Sequence, residues 1–317
     1  MRIVFLGSGE VAVPSLEALH AAGHDIPAVY TQPPRRAGRG GKVRATPVEQ
    51  AAGRLGLRIA QVENINRDGH PEAIRALGAD LVAVIDFGQI LGRGVREAAP
   101  LGTICMHASL LPELRGAAPI NWAILRGMSR TGVTTFQVVR QIDAGVIYLQ
   151  EALDIGAEET ADELRDRLAG LGAQVMFRTV SGLAAGTLAG REQDHAAATM
   201  APKLEKADGR LDFSDSALAI ANRIRGTWSW PGAHADFIHA GARPVRVILA
   251  RARALMAGEV TPAPAGTLAD DLRMNTHDGW VELLELKVAG KRLMGWRDFV
   301  NGYRAAPGDR FVRPAEE

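Results

Sequence analysis

Short, mainly apolar runs alternate, through the first half of the chain, with stretches whose apolar residues recur at helical spacing. Arg2–Leu6, Ile26–Tyr30, Arg58–Val62, Leu81–Ile85 and Thr103–Met106 read as strands. Between them, Val13–Ala22, closed by Gly23, and Pro71–Leu77 read as helices. A further helix opens at Thr46-Pro47-Val48-Glu49, where Thr46 can cap, Pro47 suits the first helical position and Glu49 can reach back. Strands alternating with helices predict an α/β domain with a mostly parallel sheet.

The pattern changes at Gly132. Two longer strands, Val133–Val139 and Val146–Glu151, precede a second capping box, Thr160-Ala161-Asp162-Glu163. Leu164, Leu168, Leu171 and Val175 then fall on one helical face. From about Gly186 to Gly209 the chain is rich in Ala, Gly and charge without periodicity, and reads as a linker. Leu211–Thr227 looks helical, and Val245–Ala250, Gly266–Leu268 and Trp280–Leu286 look like short strands. Such a tail suits a small β-barrel of the oligonucleotide-binding kind. The expected division is a catalytic domain at 1–187, a linker at 188–208 and a barrel at 209–317. There are no internal repeats.

Composition narrows the classes. The chain has 317 residues, enough for about two domains at roughly 100–200 residues each. Its 37 basic and 36 acidic residues nearly cancel, so a polyanionic partner must be met by a local patch. Cys105 is the single cysteine, which excludes an internal disulfide and a Cys-rich metal site and fits a reducing cytoplasm. No apolar run approaches the ~20 residues of a membrane span. The amino terminus, with Glu10, lacks a secretory signal pattern.

Four segments could carry chemistry. Gly7-Ser8-Gly9-Glu10-Val11-Ala12 follows the first strand with dinucleotide-type glycine spacing, but the second strand ends Tyr30-Thr31-Gln32 without the carboxylate a ribose would want. Between Arg35 and Arg44, five cations occur in ten residues among glycines. This stretch has no core face, is expected to be a mobile loop, and is suited to phosphate. Cys105 and His107 lie two apart at a strand's carboxyl end, so they share a side, at the edge where parallel sheets bind ligands. Asp143 stands in a turn between two strands, where an aspartate ordinarily bonds its own backbone.

Taken together, these segments resemble the methionyl-tRNA formyltransferase family over essentially the whole chain. The basic insertion matches, as do His107 with Ser109-Leu110-Leu111-Pro112, Arg115-Gly116-Ala117-Ala118-Pro119-Ile120, and Gly132 through Asp143-Ala144-Gly145. Trp230-Pro231-Gly232 and Ala289-Gly290-Lys291 resemble the family's carboxyl-terminal domain. The resemblance implies a Rossmann-like catalytic domain followed by an OB-like barrel. It implies a reaction in which 10-formyltetrahydrofolate gives its formyl group to the α-amine of methionyl-initiator tRNA. His107 and Asp143 would be catalytic, and Ser109, Leu110, Leu111 and Pro112, with Phe87 and Gly88 nearby, would hold the folate. Arg39, helped by Arg36, Lys42 and Arg44, would meet the tRNA. No metal is implied, and a monomer is expected. Transfer to another amine, such as an amino-sugar, is the alternative chemistry, against which the basic insertion and the barrel argue.

The chain departs from the family at Cys105, where an asparagine amide normally helps hold the developing oxyanion. Three readings follow: another donor such as a backbone N–H, water or Asn121 replaces the amide; Cys105 is a nucleophile that carries formyl as a thioester; or the site has drifted to a binding role. Asp86 replaces a neutral residue near the expected folate pocket, and Arg140 stands where a cation is unusual. Their pairing would compensate both.

Overall fold

The computed structural model describes residues 1–37, 42–256 and 263–314, which form two compact units. The first comprises Met1–Pro119, Thr131–Leu153 and Arg165–Pro202, and the second Ile120–Arg130, Asp154–Leu164 and Lys203–Glu317. The second unit thus includes two short segments that the hydrophobic pattern assigned wholly to the first domain. Periodicity reports which face of an element is buried, not which core receives it.

In the first unit the strands are β1 Ile3–Gly7, β2 Val29–Thr31, β3 Arg35–Ala37, β4 Lys42–Arg44, β5 Ile59–Gln61, β6 Leu81–Ile85, β7 Thr103–His107, β8 Arg115–Gly116, β9 Arg130–Gln137, β10 Ile147–Asp154 and β11 Met200–Ala201. The helices are α1 Val13–Ala21, α2 Pro47–Arg54, α3 His70–Ala76, α4 Arg93–Arg96, α5 Pro119–Leu125, which runs on into the second unit, and α6 Ala161–Ala184, which begins there. Seven strands form one sheet in the order β10-β9-β7-β6-β1-β2-β5. The pairs β5–β2, β2–β1, β1–β6 and β6–β7 are parallel, and β9 runs antiparallel to β7. The sheet is Rossmann-like. Every residue of β1 and β6 is buried, so both read as unbroken apolar runs instead of alternating ones.

Register sets the site. Val84 pairs with Cys105, so Asp86 and His107, each two residues further on, leave the same edge of the sheet on neighbouring strands. Thr46 caps α2 by accepting from the Glu49 N–H at 3.1 Å; the Glu49 carboxylate turns to Gln61 instead of reaching back.

Two segments differ from their sequence reading. The basic stretch is not simply a loop, because β3 and β4 pair as an antiparallel ribbon, and backbone pairing needs no core face. The stretch read as a linker carries β11, which pairs in parallel with β8, and buried Gln193 and Ala201.

The second unit holds α7 Ala217–Gly226, β12 Ala233–Ile238, β13 Val245–Met256, β14 Met274–Asn275, β15 Gly279–Val288, β16 Leu293–Gly295, α8 Trp296–Tyr303 and β17 Arg310–Val312. The sheet order β14-β15-β13-β12-β17 is nearly closed into a barrel by bridges from Thr267 to Arg310 and from Leu268 to Met274. β12 and most of β15 alternate buried and half-exposed positions, as strands of a small barrel must. Phe237, Phe299 and Phe311 fill its core, with Trp296 and Tyr303 stacked on Phe299. Among the described residues, no helix is long and apolar enough to cross a membrane.

Candidate active site

His107 is the last residue of β7 and its side chain is buried. Nε2 lies 2.9 Å from the carbonyl oxygen of Leu114. A carbonyl can only accept, so Nε2 carries the hydrogen. The other nitrogen, Nδ1, faces Oδ2 of Asp143 at 3.8 Å. The Phe136 ring stands nearly perpendicular to the imidazole, with ring centroids 6.5 Å apart. The ring is therefore held at one nitrogen and free to exchange a proton at the other.

Asp143 adopts φ 49°, a left-handed conformation uncommon for a side chain with a Cβ. Its Oδ2 accepts the Gly116 N–H at 2.7 Å, and the Gln193 amide donates to the carbonyls of Asp143 and Gly145. Gly116 is an obligatory glycine: at φ 122° a Cβ there would meet the Ala201 carbonyl oxygen at 2.6 Å.

The Ser109–Pro112 turn, closed by a cis Leu111–Pro112 bond, is organised from β9. Thr134, fully buried, donates its hydroxyl to Ser109 O at 2.6 Å and accepts the Leu111 N–H at 3.1 Å. Gln150 donates to Leu111 O and to the Thr134 hydroxyl, and the Ser109 hydroxyl donates to Glu113 O. These polar atoms are spent on rigidity. Leu110 is half-buried, and a Cβ at Gly132 would meet its side chain. The Phe87 ring belongs to the core, whereas Gly88 is exposed at φ 74°. Gln32 donates to Phe87 O at 2.7 Å and so ties that loop to the end of β2. Sequence reasoning missed Thr134, Gln150, Leu114 and Gln193; Thr134 and Gln150 sit in β strands where polar residues are usually just the solvent face.

Cys105 is half-buried, and its Sγ–H points to the Met106 carbonyl at 3.5 Å. Burial pushes its thiol well above the ordinary range, and the carboxylates of Asp143 and Asp86 add to that. Asn121 does not replace the missing amide at the site: its side chain donates to Gly226 O at 2.8 Å within the second unit. Nor does Arg140 pair with Asp86. Arg140 is exposed, and the cation that acts on Asp86 is Arg165.

Asp86 keeps a solvent-facing side, yet protein around its carboxyl pushes it above the usual carboxylate range, with Arg165 opposing. The Val11 N–H donates to it, its own carbonyl accepts from Ser8 and Gly9, and any Cβ at Gly9 would overlap its carboxylate. A side-chain anion thus takes the place, at the glycine turn, where a dinucleotide phosphate would bind. The candidate site lies one strand further along, between the ends of β6 and β7. A depression lined by Arg96, Leu101, Gly102, Gln137 and Val139 opens at the start of β7, away from His107. Among the described residues, no group of three or more His, Cys, Asp or Glu is placed to hold a metal ion.

Of the cations expected to meet RNA, Arg36 lies in β3, and Lys42 and exposed Arg44 lie in β4. Arg39 lies outside the described residues.

Residues 1–180 match the formyl transferase family and residues 203–304 its C-terminal domain. The methionyl-tRNA formyltransferase of Solibacter usitatus is 42% identical over 310 residues, 98% of each chain. That of Koribacter versatilis is 41% identical over 319 residues, 99% of each. The chain belongs to the methionyl-tRNA formyltransferase family. The fold of the family recurs in more distant structures. The N-formyltransferase of Helicobacter canadensis, in complex with folinic acid and dTDP-3-aminofucose, superposes with a TM-score of 0.65 at 16% identity, covering 92% of this chain and 99% of that one. HypX of Aquifex aeolicus in complex with tetrahydrofolic acid gives 0.62 at 18%, covering 100% of this chain and 50% of that one.

Proposed function

We propose that this chain transfers the formyl group of 10-formyltetrahydrofolate to the α-amine of methionyl-initiator tRNA. The observation that carries the chemistry is the division of labour on His107, with Nε2 pinned to Leu114 and Nδ1 facing Asp143. Near-full-length identity to enzymes of that name carries the choice of acceptor.

When bound, the folate supplies an activated formyl group. The exposed Gly88 backbone and half-buried Leu110, on the loops that leave β6 and β7, fit a ligand lying along this edge of the sheet. Ser109, Leu111 and Pro112 hold that loop in shape, and buried Phe87 anchors the facing one. Nδ1 of His107 accepts the proton that the attacking amine must lose. The Asp143 carboxylate stabilises the resulting imidazolium, and the same nitrogen returns the proton to the departing nitrogen of the donor. The Leu114 carbonyl keeps the ring from turning while this happens. Cys105 stays a protonated thiol, so attack is direct and no thioester is formed. Arg36, Arg39, Lys42 and Arg44 meet the tRNA phosphates, because five cations and no acid fall within ten residues there in a nearly neutral chain. We take the enzyme to act as a monomer in the cytoplasm; its single cysteine suits a reducing compartment.

Formylation of charged initiator tRNA with 10-formyltetrahydrofolate tests the reading, with an amino-sugar nucleotide as the competing acceptor. Turnover of the sugar alone, or of neither, overturns it. Arg39→Ala is expected to raise the KM for tRNA and flatten its salt dependence by about one phosphate contact, with folate use unchanged.

A further inference from the structure

We propose that Gln193 is a positioning residue for this reaction, its side chain holding the Asp143 turn against His107 while buried Arg115 fixes the orientation of its amide. This rests on the reading of His107 and Asp143 as the reacting pair. A residue at φ 49° persists only where its surroundings over-determine it. Gln193 does so from both ends of the turn. Its Nε2 donates to Asp143 O at 2.9 Å and to Gly145 O at 2.7 Å, and its Oε1 accepts from Nη2 of Arg115 at 2.6 Å.

Both side chains are buried, with Gln193 5% and Arg115 3% exposed. The guanidinium also donates to Nδ1 of His195 at 2.9 Å, while its Nε has no partner. A buried cation so sparingly satisfied fixes which end of the Gln193 amide faces it, and hence which end faces the turn. Only an amide can accept from a guanidinium at one end and donate to two carbonyls at the other.

The same segment reaches the other half of the pair. Thr199 accepts the Leu114 N–H at 2.9 Å through its hydroxyl and the Arg115 N–H at 2.8 Å through its carbonyl. Leu114 is the residue that pins His107, and Gly116, next to Arg115, donates to Asp143. Residues 193–201 therefore set the positions of both reacting side chains, although they read from the sequence as a linker.

Gln193→Glu is the informative variant, because it keeps the shape and an ion pair with Arg115 but presents no N–H to the turn; Gln193→Met serves as a second, uncharged variant. The expected result is a kcat lowered about 10–100-fold, the scale of a small misplacement of a reacting group, with KM for folate and tRNA within about twofold. NMR of the ligand-free protein is expected to show the His107 ring resonances displaced from their parental positions, because the Asp143 turn has moved. In an Asp143→Asn background, Gln193→Glu is expected to add no further loss. Parental kcat in both Gln193 variants, unmoved His107 ring resonances, or losses that multiply in the double variant overturn the inference while leaving the His107–Asp143 reading standing. Full turnover in Asp143→Asn alone overturns both.

Discussion

The His107 imidazole is anchored by the carbonyl of Leu114, 2.9 Å from Nε2, and not by the carboxylate of Asp143, which stands 3.8 Å from Nδ1. The nitrogen nearer the acid is thus the one left to move a proton, and Asp143 acts on its charge more than on its orientation. His107→Gln is expected to lower kcat by about 10²–10⁴-fold, the usual worth of acid–base assistance, with tRNA affinity unchanged. Asp143→Asn keeps an acceptor for the Gly116 N–H but removes the negative charge. A loss of about 10–100-fold is expected there, because the imidazolium that forms in the transition state loses the charge beside it. Steady-state kinetics with equilibrium tRNA binding separates these effects; a His107→Gln variant with parental kcat would remove the proton-transfer role.

Cys105 sits where an oxyanion-holding amide would be expected, with its thiol raised by burial and by the acids at 143 and 86. A thiol held protonated is a poor nucleophile and a weak donor. Cys105→Asn is accordingly expected to turn over as fast as the parent or faster, and iodoacetamide is expected to modify the parent slowly near neutral pH. A hundredfold loss in Cys105→Asn, with a trapped formyl-enzyme on quenching, would establish the covalent route instead.

Much of this site could be read from the sequence because its parts are short and local. Strands β6 and β7 announce themselves as apolar runs, the Thr160 box closes reciprocally with Glu163, and Cys105, His107 and Asp86 follow from strand ends. What escaped depends on contacts distant in sequence. Gln193 lies 50 residues from Asp143, and nothing in an Ala- and charge-rich stretch signals one buried amide. The strand Ala233–Ile238 and the helix Trp296–Tyr303 were missed because neither keeps a long apolar repeat. The barrel draws them in through a few aromatic residues, chiefly Phe237 and Phe299.

Thr134 illustrates how a small polar residue can matter more than its volume. Valine would fill the same space, yet it would leave the Ser109 carbonyl and the Leu111 N–H without the hydroxyl that serves both. With each orphaned group costing about 1–3 kcal/mol, Thr134→Val is expected to destabilise by about 2–4 kcal/mol and to raise the folate KM. Thr134→Ser keeps the hydroxyl and loses one methyl, a cost of about 1 kcal/mol. Urea unfolding monitored at constant m-value should therefore rank serine above valine, against the order that shape alone would set.

In the second unit, Glu163 closes the cap of α6 on Thr160, with N–H and hydroxyl both donating at 2.9 Å, and its other oxygen accepts from Arg251 at 2.5 Å. Burial alone would raise its carboxyl, but the Arg251 and Thr160 bonds prevail and lower it to about 2. A folded-state pKa below that of the unfolded chain means that the ionised form favours folding. The contribution is complete above the ordinary glutamate range, about 4.3, and is lost as the pH falls towards 2. Glu163→Gln keeps an acceptor for Thr160 but has no charge for Arg251, so its melting temperature should lie below the parent's by a constant margin at pH 5–7. That margin should shrink between about pH 4.5 and 2, as protonation of the parent removes the same charge. A margin that does not vary with pH across this range would mean that Glu163 acts through its shape and hydrogen bonds alone.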